Sequence, residues 1–158
     1  MSGTIVLGIG NQLGGDDAAG THVVDMLNRR RHRATGSFTS EITAIDAGTA
    51  PESYTSVIRQ HRPELLILVD AADMALPPGA LRTIPPDKIS VLSFSTHHMP
   101  LSMFISYVEQ FCGKVRLIGV QPERTEMGGR ISKAVRKSMT ELAEAILEGQ
   151  VAEIPLLE

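Results

Sequence analysis

Two adjacent carboxylates, Asp16 and Asp17, close a glycine-rich stretch that follows an apolar run, Ile5-Val6-Leu7-Gly8-Ile9-Gly10-Asn11-Gln12-Leu13-Gly14-Gly15. A third, Asp70, ends the unbroken apolar run Leu65-Leu66-Ile67-Leu68-Val69. Two histidines, His97 and His98, stand in Ser95-Thr96-His97-His98-Met99-Pro100, just ahead of a helical pattern. Two carboxylate oxygens and one imidazole nitrogen suit a borderline divalent cation, with a position left open for water or substrate. Residue types alone do not choose among zinc, nickel and manganese. Asp70 adds a second hint, because a carboxylate at the end of an apolar strand is costly to desolvate unless it is paired, hydrogen-bonded or bound to metal.

A strand, a glycine loop and a helix also make the usual cradle for phosphate. Gly8-Ile9-Gly10 begins like G-x-G-x-x-G, but Leu13 stands at the third glycine and the loop holds no basic residue. Carboxylates at a helix start favour the helix but repel pyrophosphate. The loop is therefore expected to serve a cation or reactive carboxylates, with no nucleotide cofactor. Either aspartate alone could cap the first helix; with two in succession, one can cap while the other faces a crevice. Asp16, Asp46 at the end of the second strand and His98 are second-tier candidates, and Asp73 is placed to orient the Asp70 loop. Cys112 follows an amphipathic helix and reads as a buried structural thiol. The serines lack a G-x-S-x-G turn, and His22, His32 and His61 ask for no special role.

These residues need elements to position them. The chain has 158 residues, which suits one domain, 1–158. A net charge of −3 and the lack of a basic, aromatic-interleaved stripe argue against nucleic acid. The basic run Arg29-Arg30-Arg31-His32-Arg33 falls at a helix end, where cations complement the dipole. One cysteine excludes a disulfide framework within the chain. No apolar run reaches membrane-span length and no leader pattern opens the chain, so a cytoplasmic protein without membrane insertion is expected.

Strand and helix patterns alternate. Strands are expected at Thr4–Ile9, Glu41–Ala47, Leu65–Val69, Leu81–Ile84 and Val115–Val120. Helices are expected at Ala18–Arg33, from a Thr49-Ala50-Pro51-Glu52 capping box to His61, at Leu101–Phe111, and after Ser132 with Val135, Met139, Leu142 and Ile146 in register. Residues 149–158 read as a tail. This order predicts an α/β, three-layer fold: a mostly parallel, twisted five-stranded sheet between helices. With a 2-1-3 strand order, the switch point lies between strands one and three. Asp16, Asp17 and Asp70 would then meet in one crevice.

The chain resembles the hydrogenase maturation endopeptidases, proteases that trim the C-terminus of [NiFe]-hydrogenase large-subunit precursors. The resemblance rests on Gly8-Ile9-Gly10-Asn11 with Leu13 and Asp16-Asp17, Asp46-Ala47-Gly48-Thr49-Ala50-Pro51-Glu52, Val69-Asp70-Ala71, Ser95-Thr96-His97 and Gly119-Val120-Gln121-Pro122-Glu123. The His-x-Met-Pro-Leu and Gly-Val-Gln-Pro-Glu stretches look most like the branch serving the hydrogenase 3 of formate hydrogenlyase. The resemblance implies that Asp17, Asp70 and His97 are the catalytic and metal-binding set, that the metal is nickel carried in by the precursor, and that the reaction is an aspartic-type, nickel-gated cut. Many relatives carry glycine at the positions of Ala18 and Ala47; neither change removes a ligand. Two rival readings are a non-hydrolytic metal- or nucleotide-binding regulatory module and a chaperone that grips the precursor without cutting it.

Overall fold

Strand β1 (Thr4–Ile9) alternates its side chains between two buried faces: Ile5, Leu7 and Ile9 on one, Val6 on the other. A strand buried on both sides belongs at the centre of a parallel sheet, and β1 pairs in parallel with both β2 (Ile42–Gly48) and β3 (Leu65–Ala71). The structure is a computed structural model that describes residues 3–31, 41–96 and 98–158. Strand β3 pairs in parallel with β5 (Lys114–Val120), and the short β4 (Leu81–Thr83) lies antiparallel on β5, giving the order β2-β1-β3-β5-β4. The expected five-stranded, mostly parallel sheet with a switch point between β1 and β3 is therefore present.

Helices cover both faces. Helix α1 (Ala19–Arg31) and helix α5 (Lys133–Leu147) pack Val23, Leu27, Met139 and Leu142 against Val6, Ile67 and Ile118. On the other face α2 (Thr55–His61), the short α3 (Pro86–Ile89) and α4 (Leu101–Val108) bring Ile58, Ile89, Phe104 and Val108 against Leu7, Leu66 and Leu68. Ser132 caps α5 by accepting the Val135 amide at 3.4 Å. Helix α1 begins one residue later than expected, and the second half of the basic run lies outside the described residues. No helix among the described residues is long and apolar enough to cross a membrane.

Two sequence expectations are corrected. The Thr49-to-Glu52 capping box does not form: a 3-10 turn at Pro51–Tyr54 starts from Ala50 without a side-chain cap, and the α-helix begins at Thr55. Residues 149–158 are not a loose tail. Thr83 donates its amide to Pro155 O at 2.8 Å and receives the Leu157 amide at 2.9 Å. The segment thus covers the outer edge of β4, which would otherwise offer unpaired backbone groups.

Glycine explains the tight approach of α1 to the sheet. A Cβ at Gly20 would lie 2.5 Å from Ile9 N and 2.8 Å from Val69 O, backbone atoms that cannot rotate away. At Gly8 a Cβ would strike Gly20 O. Gly8, the first glycine of the apparent nucleotide fingerprint, thus serves helix–strand contact.

Candidate active site

The parallel register places Gly8 of β1 opposite Val69 of β3. The loop after β1 and Asp70 therefore emerge at the same sheet edge, as the strand order requires. A Cβ at Gly10 (φ +152°) would collide with Asp17 O, so glycine lets the loop fold back on itself. A 3-10 turn at Gly15–Ala18 then presents Asp17 to a crevice of about 570 Å3. Ala71 and Ala72, which follow the buried Asp70, line it together with Ser95, Glu123 and Arg124.

The three aspartates at this edge have different fates. Asp16 is fully buried and faces away from the crevice. Its Oδ1 accepts the Ser132 amide at 2.6 Å; its Oδ2 accepts the Glu123 amide at 2.7 Å, the Arg124 amide at 3.1 Å and the Ser132 hydroxyl at 2.9 Å. Burial alone would raise the pKa, but these hydrogen bonds outweigh it and hold the carboxyl below its ordinary value. Asp17 is half-buried, and its pKa is raised, first by burial and then by the Asp16 charge.

Asp70 is fully buried. Its Oδ2 accepts the Ser95 amide at 2.8 Å, while its Oδ1 has no hydrogen-bond partner among the described residues. Burial is the main force pushing its pKa up to about 8; Ser95 and the nearby Ala71 N–H dipole pull against it, and the Asp17 charge adds to the rise. A buried carboxyl oxygen without a partner beside a second carboxyl is an arrangement that a cation would complete. Asp17 and Asp70 thus supply oxygen donors of the kind a divalent metal takes. His97 lies outside the described residues, and among those described no group of three His, Cys, Asp or Glu converges. His98 is exposed.

Asp46 is not in this crevice. Its oxygens accept from Gln12 Nε2 at 2.8 Å, Thr21 Oγ1 at 3.1 Å and the Gly48 amide at 3.1 Å, and it borders a separate cavity. Asp73 accepts from the Ala75 amide and from Gln121 Nε2, both at 3.1 Å. Gln121 in turn accepts the Met74 amide at 2.6 Å and the Leu76 amide at 3.3 Å through Oε1. This buried amide is the organiser of the loop after β3 that sequence reasoning passed over. The available signal was of the same kind as for Asp70: a polar residue closing an apolar strand. Cys112 is buried, and burial pushes its thiol up to about 11, which removes it as a nucleophile.

Comparison with known proteins defines the class. A family model described as hydrogenase maturation protease matches residues 21–149. The hydrogenase 3 maturation protease of Escherichia coli K12 is 36% identical over 120 residues, covering 75% of this chain and 72% of its own. A putative hydrogenase maturation protease of Methanocaldococcus jannaschii is 32% identical over 146 residues, covering 91% and 86%. The crystal structure of a hydrogenase 3 maturation protease superposes with a TM-score of 0.83 at 31% identity, over 99% of this chain and 97% of the other. That of a [NiFe] hydrogenase maturation protease from Thermococcus kodakarensis gives 0.78 at 30% identity, over 94% and 92%. The chain belongs to the hydrogenase maturation protease family.

Proposed function

We propose that this protein is the endopeptidase that removes a C-terminal extension from a nickel-loaded [NiFe]-hydrogenase large-subunit precursor, and that Asp17, Asp70 and His97 recognise the nickel the precursor carries. Family membership supports the protease activity. The observation that carries the metal reading is Asp70 Oδ1, buried without a hydrogen-bond partner among the described residues and electrostatically coupled to Asp17. A carboxylate kept this dry is stable as an anion only when a cation joins it, so the site is complete when the substrate delivers its metal. The protein's own residues hold that metal and seat the scissile peptide in the crevice; the bound metal polarises the carbonyl or the attacking water. A carboxylate of the site takes the proton from that water, and no Ser or Cys nucleophile takes part. The regulatory-module reading finds no support in the site, since the loop glycines are filled by helix and loop backbone rather than left open for phosphate.

The test is processing of nickel-loaded precursor, read as mass loss at its C-terminus. Asp17→Asn and His97→Ala are expected to keep the wild-type fold and to lower processing by at least about a thousandfold, the scale on which loss of a catalytic group acts. A normal rate in either variant would overturn the site assignment. Stable capture of the precursor by the wild-type protein, without any cut, would favour a chaperone.

A further inference from the structure

A cavity of about 680 Å3 is separate from the crevice and is lined by other residues of the same two loops. The β1–α1 loop turns Asn11 and Asp17 to the crevice but Gln12 and Ala18 to the cavity. The β5–α5 connection divides likewise, with Thr125 on the crevice and Arg130 on the cavity. A Gly14–Gly129 bridge and a 2.7 Å hydrogen bond from the Gly128 amide to Leu13 O join the loops. Between the two hollows therefore runs a backbone-bonded ridge, and it carries two exposed apolar side chains, Leu13 (62% exposed) and Met127 (71%).

The charges lining the cavity sort unevenly. Its two carboxylates are engaged: Asp46 by Gln12, Thr21 and the Gly48 amide, Asp25 by Arg29 at 3.0 Å. Its two guanidinium groups, on Arg130 and on Arg136 in the first turn of α5, make no side-chain hydrogen bond or ion pair with a described residue. The unspent chemistry of the cavity is thus cationic and planar. A guanidinium fork matches a carboxylate through paired N–H donors, a geometry that lysine does not offer.

We propose that this cavity is a second substrate subsite, which binds a carboxylate of the same polypeptide whose scissile bond lies in the crevice beside Asp17. The inference rests on the protease reading above. Only the two backbone-bonded loops separate the hollows, so one extended segment can lie across them. Leu13 and Met127 supply apolar contact for the crossing segment, and methionine adapts to varied neighbours. The carboxylate is either an acidic side chain or the chain terminus; Arg130 and Arg136 read only the group itself.

Two measurements test this. The first titrates 15N-labelled protein with three alanine hexapeptides: one with a free C-terminal carboxylate, one amidated, and one amidated with a central glutamate. Shifts of the Arg130 and Arg136 Nε–H signals with a carboxylate-bearing peptide, absent with the plain amide, support the subsite and identify the source of the carboxylate. Equal shifts with all three, or none with any at millimolar peptide, overturn it. The second measures processing kinetics of nickel-loaded precursor. Arg130→Gln/Arg136→Gln is expected to raise KM about tenfold or more while kcat stays within about twofold. Lys133→Gln/Lys137→Gln, with the same loss of charge outside the cavity, controls for long-range electrostatics. An unchanged KM in the arginine double variant, or an equal rise in the lysine one, overturns the proposal. If the wild-type protein does not process the precursor, the protease reading fails, while the peptide titration still decides the subsite.

Discussion

Asp16→Asn tests whether the crevice wall is held by one buried carboxylate. The substitution keeps the size of the side chain, but leaves one acceptor oxygen where there were two and turns an NH2 toward donors. Four donors converge there: the amides of Glu123, Arg124 and Ser132 and the Ser132 hydroxyl, at 2.6–3.1 Å. With the amide oxygen at the Oδ2 position the Ser132 amide loses its acceptor and the new NH2 faces it as a second unmatched donor; a buried donor left unmatched costs about 1–3 kcal/mol. The expected destabilisation is therefore about 3 kcal/mol, a Tm drop of roughly 6–12 °C in a chain of this size. The assay is urea and thermal unfolding, with hydrogen exchange at the Glu123, Arg124 and Ser132 amides to show where the structure loosens. The sign with pH follows from the depressed folded pKa of Asp16. The stabilisation is present at neutral pH, begins to fall near the unfolded value of about 3.9, and is lost as pH drops through the folded one. Wild type and variant should thus converge in acid. A loss below about 1 kcal/mol at pH 7, or a difference that stays constant from pH 7 to pH 3, would refute the reasoning.

Asp70→Asn should act with the opposite sign. Between the unfolded value near 4 and the folded value of about 8, native Asp70 holds a proton that the unfolded chain has lost, so stability declines as pH rises across that window. The variant should lack this decline and be the more stable form at pH 8 in chelator, as read by urea unfolding; a steeper decline in the variant would contradict it. Gly20→Ala sets a Cβ against Ile9 N and Val69 O and should destabilise by about 3 kcal/mol or more, measured by the shift of the unfolding midpoint. A shift of less than about 1 kcal/mol would mean that α1 does not depend on this close approach.

The sheet was legible because its signals are local and redundant. Leu65 to Val69 is apolar throughout, which only a strand covered on both faces allows, and the alternation of strands with helices then leaves few orders for a parallel sheet. From that order followed the meeting of the β1 loop with Asp70. What the sequence hid depends on partners far along the chain. Thr49 and Glu52 have the spacing of a capping box, yet Pro51 opens a 3-10 turn and the helix starts at Thr55. Residues 149–158 look like a tail because the backbone groups that hold them belong to Thr83, far away in sequence. Gln121 closes an apolar strand as Asp70 does, but its role appears only once the loop after β3 is folded around its Oε1.

The two buried aspartates at this edge cannot be told apart by residue type, and burial does not separate them either, since both are fully enclosed. The count of donors does. Four donors meet Asp16, enough to keep it charged without a cation; its work is done inside the fold, joining the β1 loop to the start of α5. Asp70 has an oxygen that no described residue satisfies, and its neighbour Asp17 repels the charge it would carry. Ordinary packing selects against such an orphan, because another donor or an apolar side chain would remove the penalty. Its presence at the switch point of the sheet, beside a crevice, is the observation on which the cation proposed above rests. Asp17 differs from both: it is half-buried, raised in pKa by burial and by the Asp16 charge, and it faces the crevice.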